Sequence, residues 1–466
     1  MGDLLSSLNS VLGKTGLLTD QAAIAPHLTD WRGEWHGRAQ AIARPATTDE
    51  AAETIKLCRA AHVPLTLQGG NTGLVGGSVP DQNKAGILLQ TQRLNGPQIV
   101  DASEATLTVG AGTPLATAEA LAAGEDLRIG LRLGSEGTAQ IGGLIATNAG
   151  GSHAMRFGMM RAQVLGIEAV LPDGTIYPNA GGLRKNNFGP DMSHLFIGSE
   201  GAFGLITAAT IALHPRPAAT STALLALSDL TALPQLVRLA KSFGPAVERI
   251  EFMSKSGIAL AQKYVSSVQV PFAQTPDWSV LIELTGHHAE ATNAQLLSLF
   301  ETALEAGHVT DGHLASSLSQ AEAFWLLREA LVEGQRLHGP QIKHDVAVPI
   351  SQLAVFIEHT TAALVADQPD LVINPFGHAG DGNVHFNIST GPGHNRARIT
   401  QIVYDHVRRH QGSLAAEHGI GRLKGKLLRD SLSEAADHLI FGLRRHLDPD
   451  GLFNPHILPT SSPEAL

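Results

Sequence analysis

The stretch QGGNTGLVGGSVP at residues 68–80 decides the fold predicted for the N-terminal half of the chain. It follows the strand-like segment VPLTL, and its glycines leave successive backbone N–H groups without a Cβ to cover them. Such a concave row of N–H groups binds anions and can receive a pyrophosphate. The stretch has neither the GxGxxG spacing nor the Lys-Ser/Thr ending of the common nucleotide loops. Taken alone, a flexible surface loop is the alternative.

Two further glycine-rich segments favour a bound cofactor. LGSEGTAQIGGLIATNAGG at 133–151 interleaves glycines with Thr147 and Asn148, and LFIGSEGAFGLIT at 195–207 has the same character. Glycines are expected where the backbone must lie directly against a flat ligand. Three such segments in one half of the chain therefore predict a large ligand there.

The composition is that of a globular enzyme. A chain of 466 residues with 43% hydrophobic and 16% charged residues predicts more than one domain. A net charge of −10 argues against general binding to nucleic acid or anionic membranes. The single cysteine, Cys58, excludes an intramolecular disulfide, and its helical context indicates a buried, inert thiol. Since no secretory signal or long apolar run is present, we expect a cytoplasmic protein.

The pattern of predicted helices and strands changes near HPRPAAT at 214–220. Before it, short strand-like runs alternate with helical patterns at 48–62 and 113–123, and Thr47 with Glu50 fits a capping box. After it, strands such as WSVLIELTG alternate with longer amphipathic helices, and the last 60 or so residues are helical. These changes predict an α+β fold with domains at 1–216, 217–400 and 401–466.

The stretch GHAGDGNVH at 377–385 predicts a β-hairpin that brings two histidines together. With Asp381 and Gly382 as a two-residue turn, His378 directly faces His385, and their Cβ atoms lie about 4.5–5.5 Å apart. Both imidazoles can then hold one ion. The alternative is a solvent-exposed polar face that carries two ordinary residues among the 22 histidines of the chain.

These segments together resemble the FAD-dependent D-2-hydroxyacid dehydrogenases of the vanillyl-alcohol oxidase and p-cresol methylhydroxylase superfamily. That branch includes D-2-hydroxyglutarate and D-lactate dehydrogenases. The resemblance covers roughly 40–458 and rests on QGGNTGLVGG, IGGLIATNAGG, LFIGSEGAFGLIT, NPFGHAGDGNVHFNI and AAEHGIGRLK, in that order. It implies a two-lobed flavin-binding domain of the p-cresol methylhydroxylase type, an antiparallel-sheet substrate (cap) domain and a helical C-terminal segment that completes the active site.

The resemblance implies FAD as the cofactor. Family members that bind the flavin covalently use a histidine or cysteine in matching loops, and neither QGGNTG nor TNAGG supplies one, so the FAD is expected to be noncovalent. The residues that match the cofactor site are Gly69, Gly70, Asn71, Thr72, Gly73, Gly76, Gly77, Gly134, Gly137, Gly142, Thr147, Asn148, Gly150 and Ile206.

The resemblance also implies a divalent metal, usually zinc, held by His378, His385 and Glu417. Two histidines and one carboxylate leave an open coordination position, as catalytic sites do. In the family the adjacent histidine, here His418, is the base that takes the proton of the 2-hydroxyl while a hydride passes from C2 to the flavin N5. The ion lowers the pKa of that hydroxyl.

Arg328, Lys343 and Asn387 match substrate contacts of the hydroxyglutarate-type members. An arginine and a lysine on an otherwise apolar helix and strand are costly to bury without an anion, although Arg328 could instead pair with Glu329 or Glu333 on the helix surface. Those members carry a hydroxyl residue one turn after the arginine, where this chain has Val332. The three matching residues favour D-2-hydroxyglutarate, whereas Val332 leaves D-lactate or another short or apolar 2-hydroxy acid open as the alternative.

The resemblance to this family implies an electron-transfer flavoprotein or a quinone as electron acceptor. It also implies a homodimer. The basic run Arg422, Lys424, Lys426 and Arg429 is either a partner-docking face or, as we favour, a solvated helix face. Two other classes remain open on the residues alone. One is a metal-dependent hydrolase without flavin, and the other is a metal-stabilised interaction protein.

Overall fold

The computed structural model describes residues 2–459, which form two compact units. The first unit contains the residues up to 151, residues 157–216 and the residues from 417 onward; the second contains residues 152–156 and 217–416. The three-domain division of the sequence analysis stays a prediction, and residues 1 and 460–466 of its first and last domains lie outside the described residues.

The described residues contain α-helices and β-strands along their whole length, and each class is numbered in chain order. The α-helices are α1 (Gly2–Gly16), α2 (Gln21–Ile24), α3 (Thr48–Ala60), α4 (Leu115–Ala123), α5 (Ile141–Ala146), α6 (Ala154–Phe157), α7 (Met160–Gln163), α8 (Ser193–Phe196), α9 (Leu233–Ser242), α10 (Lys255–Tyr264), α11 (Ala289–Glu305), α12 (Leu318–His338), α13 (Leu353–Asp367), α14 (Arg396–Arg409), α15 (Gly425–Ser431) and α16 (Glu434–Leu447). The strands are β1 (Leu17–Leu18), β2 (Ala39–Ala43), β3 (Leu65–Gln68), β4 (Gly86–Gln90), β5 (Gln98–Asp101), β6 (Thr106–Gly110), β7 (Leu127–Ile129), β8 (Val164–Val170), β9 (Ile176–Asn179), β10 (Leu205–Pro215), β11 (Ala219–Leu227), β12 (Val247–Ser254), β13 (Trp278–Gly286), β14 (Val309–Leu314), β15 (Gln341–Ala347), β16 (Val372–His378) and β17 (Asn383–Ser389). Within this part of the chain, no helix has both the length and the apolar character that a membrane span requires.

The first unit is built on two sheets. One has the order β1-β2-β4-β3, with β2, β4 and β3 parallel, and the other has the order β5-β6-β10-β8-β9, with β7 paired to β10. Strand β4 is buried along its whole length, as parallel strands covered on both faces are. The loop 69–80 leaves the end of β3, so a rigid strand fixes where the glycines begin.

The predicted capping box and inert thiol are both found on α3. The Thr47 Oγ1 accepts a hydrogen bond from the Glu50 N–H at 3.1 Å, and the Glu50 carboxylate accepts from the Ala46 N–H at 2.7 Å. Cys58 is 1% exposed, and burial raises the pKa of its thiol to about 12. The thiol is therefore protonated and unreactive at neutral pH.

A seven-stranded antiparallel sheet with the order β14-β11-β13-β12-β16-β17-β15 forms the second unit. Alternate residues of β11 face two different cores, since Ala223 and Leu225 pack with α9, α11, α13 and α14, whereas Leu224 and Ala226 pack with α10 and α12. Both faces of this sheet are therefore covered. Strand β13 has the same limits as the predicted strand WSVLIELTG.

The predicted two-residue turn between β16 and β17 is wrong. The ladder pairs Phe376, not His378, with His385, and a four-residue loop at 379–382 joins the strands. Gly382 N closes the loop by donating to His378 O at 3.1 Å. The loop backbone also bonds to neighbouring segments, because Ala379 N donates to Ile250 O at 2.8 Å and Gly382 O accepts from Val348 N at 3.0 Å. The register is shifted by two residues, which is one full period of a strand, so the two histidines still share one face.

Candidate active site

Polar side chains line one face of the second unit's sheet, beneath α12. Across the ladders, Glu251 is the partner of His378, Asp345 of His385, and Lys343 of Asn387. The polar face of β17 is buried, since Asn383 is 4% exposed and Asn387 is 6% exposed. The alternative of a solvent-exposed polar face is therefore wrong, and buried polar groups in such a row require partners or ligands.

His378 and His385 are diagonal neighbours on this face. The planes of their rings form an angle of 82°, and the ring centroids are 5.3 Å apart. A nitrogen of the His378 ring lies within 4.8 Å of a nitrogen of the His385 ring. Since zinc–nitrogen bonds measure about 2.0–2.1 Å, two nitrogens held by one ion lie about 3–4 Å apart. The pair is therefore close to the separation that a shared ion requires.

A carboxylate orients the His378 ring, and a second carboxylate lies near the His385 ring. The His378 Nδ1 donates to Glu251 Oε1 at 2.7 Å, so Nε2 is the nitrogen that would coordinate an ion. The His385 Nδ1 lies 3.8 Å from Asp345 Oδ1, which is an ion-pair distance. Metal-binding histidines usually present their second nitrogen to a carboxylate in this way. The donor set of this unit therefore fits a divalent ion such as zinc.

Glu251 joins His378 to Arg328. The carboxylate is 1% exposed, and its Oε2 lies 2.9 Å from the Nε and 2.8 Å from a terminal nitrogen of Arg328. Burial by itself raises the pKa of this carboxyl, but the charges of His378 and Arg328 and the hydrogen bond from His378 outweigh burial and lower the pKa to about 2. Glu251 is therefore ionised at neutral pH.

Arg328 is buried against the sheet. It is 8% exposed, and its guanidinium carbon lies 4.6 Å from the Phe376 ring centroid. The proposed surface pair with Glu329 or Glu333 is wrong, because Arg328 binds Glu251 and Glu333 binds Arg336 at 2.8 and 2.6 Å. The anion that offsets the burial of Arg328 is thus a carboxylate of the protein itself.

The other predicted substrate contacts have different surroundings. Lys343 is exposed, so the cost of burying a cation does not apply to it. The Asn387 Nδ2 donates to Gln335 Oε1 of α12 at 2.8 Å. Val332, one turn after Arg328, is 44% exposed. The substrate roles of Arg328, Lys343 and Asn387 stay predictions.

Sequence reasoning missed Glu251. A signal was present, because Glu251 stands between the apolar residues Ile250 and Phe252 in a strand that runs through the centre of the sheet. A carboxylate is almost never fully buried unless it is paired. Its partner could not be identified from the sequence, since Arg328 lies 77 residues away on a helix.

The glycines predicted to line FAD divide into two groups in the first unit. A Cβ added at Gly73, Gly134 or Gly137 would have no atom within 4 Å, so open space adjoins the backbone there. A Cβ at Gly70 would lie 1.9 Å from Thr138 O, and one at Gly142 would lie 2.6 Å from Ala111 Cβ. The first three glycines, called the glycine cradle below, leave room for a flat ligand such as FAD, and Gly70 and Gly142 serve close packing.

The polar residues among these glycines hold the loops. Asn71 Nδ2 donates to Thr29 O at 2.8 Å, Thr147 Oγ1 donates to Gly143 O at 3.0 Å, and Asn148 Oδ1 accepts from Arg161 N at 2.9 Å. Ile206 is 4% exposed on β10. The described contacts are therefore structural, and the roles of these residues toward FAD stay predictions.

Filling the glycine cradle should displace the cofactor without disturbing the fold. We expect Gly137→Val to weaken FAD binding about 10- to 100-fold, because overpacking a close contact costs about 1–3 kcal/mol. The measurement is the ratio of flavin absorbance to protein after dialysis. Gly393→Val is the matched control, since a Cβ there also meets nothing within 4 Å. Equal flavin loss in both variants would contradict the assignment.

Glu417 and His418 are half-buried and start the last segment of the first unit. A Cβ added at Gly150 would lie 3.7 Å from Glu417 Oε1, so this carboxylate is beside the segment TNAGG. Two backbone N–H groups of the turn after His418 donate to Glu200, another residue that sequence reasoning missed.

The solvated helix face that we favoured for the basic run near the C-terminus holds for Lys426, which is exposed on α15, and is wrong for the other three cations. Arg422 donates to Val79 O and lies with its guanidinium carbon 5.7 Å from the Trp35 ring centroid. Lys424 is 7% exposed, and Arg429 donates to the Pro459 carbonyl at 2.8 Å. These three cations stabilise the packing of the first unit.

Two family models match the chain. Residues 39–178 match an FAD binding domain, and residues 216–457 match the C-terminal domain of FAD linked oxidases. The first match confirms the predicted flavin-binding character of the N-terminal half and argues against a flavin-free hydrolase.

Named relatives align with almost the whole chain. D-2-hydroxyglutarate dehydrogenase of Xanthomonas citri pv. viticola is 34% identical over 470 residues, which cover 98% of both chains. The mitochondrial D-2-hydroxyglutarate dehydrogenase of Arabidopsis thaliana is 31% identical over 462 residues, covering 98% of this chain and 82% of the relative. Among solved structures, substrate-bound p-cresol methylhydroxylase superposes with a TM-score of 0.73 at 13% identity, covering 98% of this chain and 96% of the other. The predicted α+β fold of that type is confirmed.

Proposed function

This chain belongs to the family of FAD-linked D-2-hydroxyacid dehydrogenases, and on that premise we propose that it oxidises D-2-hydroxyglutarate, or secondarily D-lactate, to the 2-oxo acid. The observation that carries the proposal is the chain of contacts from His378 through Glu251 to Arg328. One buried carboxylate orients both a ring suited to bind a metal and a cation suited to bind a carboxylate.

His378, His385 and Glu417 are proposed to hold a divalent metal, with zinc as the favoured ion. The orientation of His378 by Glu251 and the closeness of the His385 ring support this. A further support for Glu417 is its place in the chain. Ala416 N donates to Asp345 O at 3.3 Å, Asp345 is the ladder partner of His385, and Glu417 is the next residue after Ala416.

The catalytic roles follow from the chemistry of the side chains. When bound, the metal supplies Lewis acidity toward the 2-hydroxyl and the FAD accepts the hydride. His418 is proposed as the base for the hydroxyl proton, because an imidazole is the side chain that most often serves as a general base. The glycines of the first unit are proposed to hold the FAD noncovalently through backbone N–H groups.

Two features bear on which substrate is preferred. Arg328 uses one edge of its guanidinium group for Glu251. The N–H groups of its other edge can bind a substrate carboxylate through charge-assisted hydrogen bonds. Val332 supplies no hydroxyl one turn later, and its exposed apolar surface suits a short or apolar side chain. The first feature favours D-2-hydroxyglutarate, and the second favours D-lactate.

Anaerobic titration tests the proposal. We expect the purified protein to be yellow and its flavin bands to bleach when a D-2-hydroxy acid is added, because the acid reduces the flavin directly. D-2-hydroxyglutarate should act at the lowest concentration, D-lactate at a higher one and the L-enantiomers at none. The measurement is the flavin absorbance across a panel of D- and L-2-hydroxy acids.

Apoprotein reconstituted with added FAD is the control for cofactor lost during purification. A colourless protein that cannot be reconstituted contradicts the proposal as a whole. Bleaching by L-acids contradicts only the proposed stereochemistry.

An electron-transfer flavoprotein or a quinone as acceptor, a homodimer and a cytoplasmic location complete the proposal. Family resemblance supports the first two. The Arabidopsis relative is described as mitochondrial, so the location in this protein needs fractionation of its own source cells.

A further inference from the structure

Glu200, in the segment LFIGSEGAFGLIT, inserts its carboxylate into the turn that follows His418. Oε1 accepts from Ile420 N at 2.6 Å, and Oε2 accepts from Gly421 N at 2.9 Å. Consecutive N–H groups of this kind form a concave anion site. In this protein a carboxyl group from a segment 220 residues earlier occupies that site. Burial raises the pKa of this carboxyl, and the two N–H groups oppose that rise.

The turn is shaped for that carboxylate. Gly419 has φ +80°, and a Cβ there would lie only 2.8 Å from Glu200 Oε1. The following residues are held from the other side, because Arg422 N donates to Val75 O at 2.9 Å. The turn after His418 is therefore fixed between Glu200 and the glycine loop 69–80.

The backbone of Glu200 is fixed as firmly as its side chain. Its φ of +50° is uncommon for a residue with a Cβ and indicates a conformation held by its surroundings. Glu200 N donates to Ala146 O at 2.7 Å, and Glu200 O accepts from Asn454 Nδ2 at 2.7 Å. Ala146 directly precedes Thr147 and Asn148, the pair predicted to line FAD.

We propose that Glu200 is the positioning residue for His418, which it holds in register with the segment 146–148 through the turn 419–421. This inference rests on the proposed function, since His418 acts as a base only in that reaction. Glu200 takes no proton and touches no substrate in this role. Its effect is on the distance and angle at which the His418 ring meets the hydroxyl proton.

Glu200→Ala is expected to lower the rate constant of flavin reduction about 100-fold, because a shift of about 1 Å in a catalytic group costs that much. Glu200→Gln should fall between this variant and the unchanged protein, since its amide oxygen still accepts one of the two N–H groups. The measurement is anaerobic stopped-flow absorbance at several substrate concentrations. It separates the rate constant from the substrate Kd, and neither the Kd nor the FAD content should change.

A double-mutant cycle with His418→Asn shows whether Glu200 acts through His418. In the His418→Asn protein, Glu200→Ala should change the rate constant by about twofold or less, because Glu200 then has no base left to position. Glu119→Gln is the matched control. Glu119 Oε2 accepts a backbone N–H from Ile129 at 2.8 Å elsewhere in the same unit, so its loss should lower stability and leave the rate constant unchanged.

Equal slowing by Glu200→Ala in both backgrounds would overturn the positioning role. An unchanged rate in Glu200→Ala alone would do the same. If His418→Asn alone reduces flavin at the full rate, the base assigned in the proposed function fails, which is a distinguishable result. If the Glu200→Ala variant does not retain FAD, the double-mutant cycle is measured with Glu200→Gln instead.

Discussion

Removal of the metal should stop flavin reduction while the flavin stays bound. Lewis-acid catalysis is worth several kcal/mol, and each 1.4 kcal/mol is a tenfold change, so the rate constant should fall on the order of 10³-fold or more. The FAD should stay because the two groups are assigned to different residues: the cradle glycines belong to the first unit, and of the three proposed metal ligands only Glu417 does. Flavin absorbance and anaerobic bleaching, before and after dialysis against a chelator, measure the two effects.

His378→Ala should reproduce the chelated state without a chelator, and added zinc should rescue the chelated protein but not this variant. His287→Ala is the matched control, since His287 is an exposed histidine of the same unit. If flavin leaves together with the metal, the assignment of cofactor and metal to separate sets of residues is wrong. If bleaching continues after the metal is gone, the metal is structural or absent.

Local patterns were sufficient where the signal lies within one element. The capping box at Thr47 started α3 where expected, and the strand WSVLIELTG was predicted residue by residue. In both cases the information lies within a few residues, as side-chain period or as an N-cap hydrogen bond. The hairpin turn failed for the opposite reason. The backbone of residues 379–382 bonds to Ile250 and Val348, which are distant in sequence and therefore do not enter a rule based on the turn residues alone.

The same limit applies to the site. His378 and His385 share a face because any even shift of register conserves it, so a wrong turn still led to a correct pair. Glu251 and Glu200 were missed because their roles depend on partners at 77 and 220 residues' separation. Residues that bind a ligand belong to motifs, whereas residues that orient them are defined only by the fold.

Glu251→Gln should weaken both the fold and the metal site. The amide carries no charge, so Arg328 loses its counter-ion and His378 loses its ionised hydrogen-bond acceptor in a buried place. Breaking one side of such a pair costs about 3–5 kcal/mol of unfolding free energy. Loss of a carboxylate behind a metal-binding histidine costs about 10- to 100-fold in metal affinity. Denaturant titration gives the first quantity, and zinc competition against a chelating dye gives the second.

Glu283→Gln separates the two effects, because Glu283 is a buried carboxylate of the neighbouring strand β13 that pairs with Arg249 at 2.9 Å and not with either histidine. It should lower stability and leave zinc affinity unchanged. A double variant, Glu251→Gln with Arg328→Met, should regain stability because no unpaired charge remains, yet its zinc affinity should stay low. If zinc affinity recovers in that double variant, Glu251 neutralises the charge of Arg328 but does not orient His378. The orientation of His378 would then have another cause.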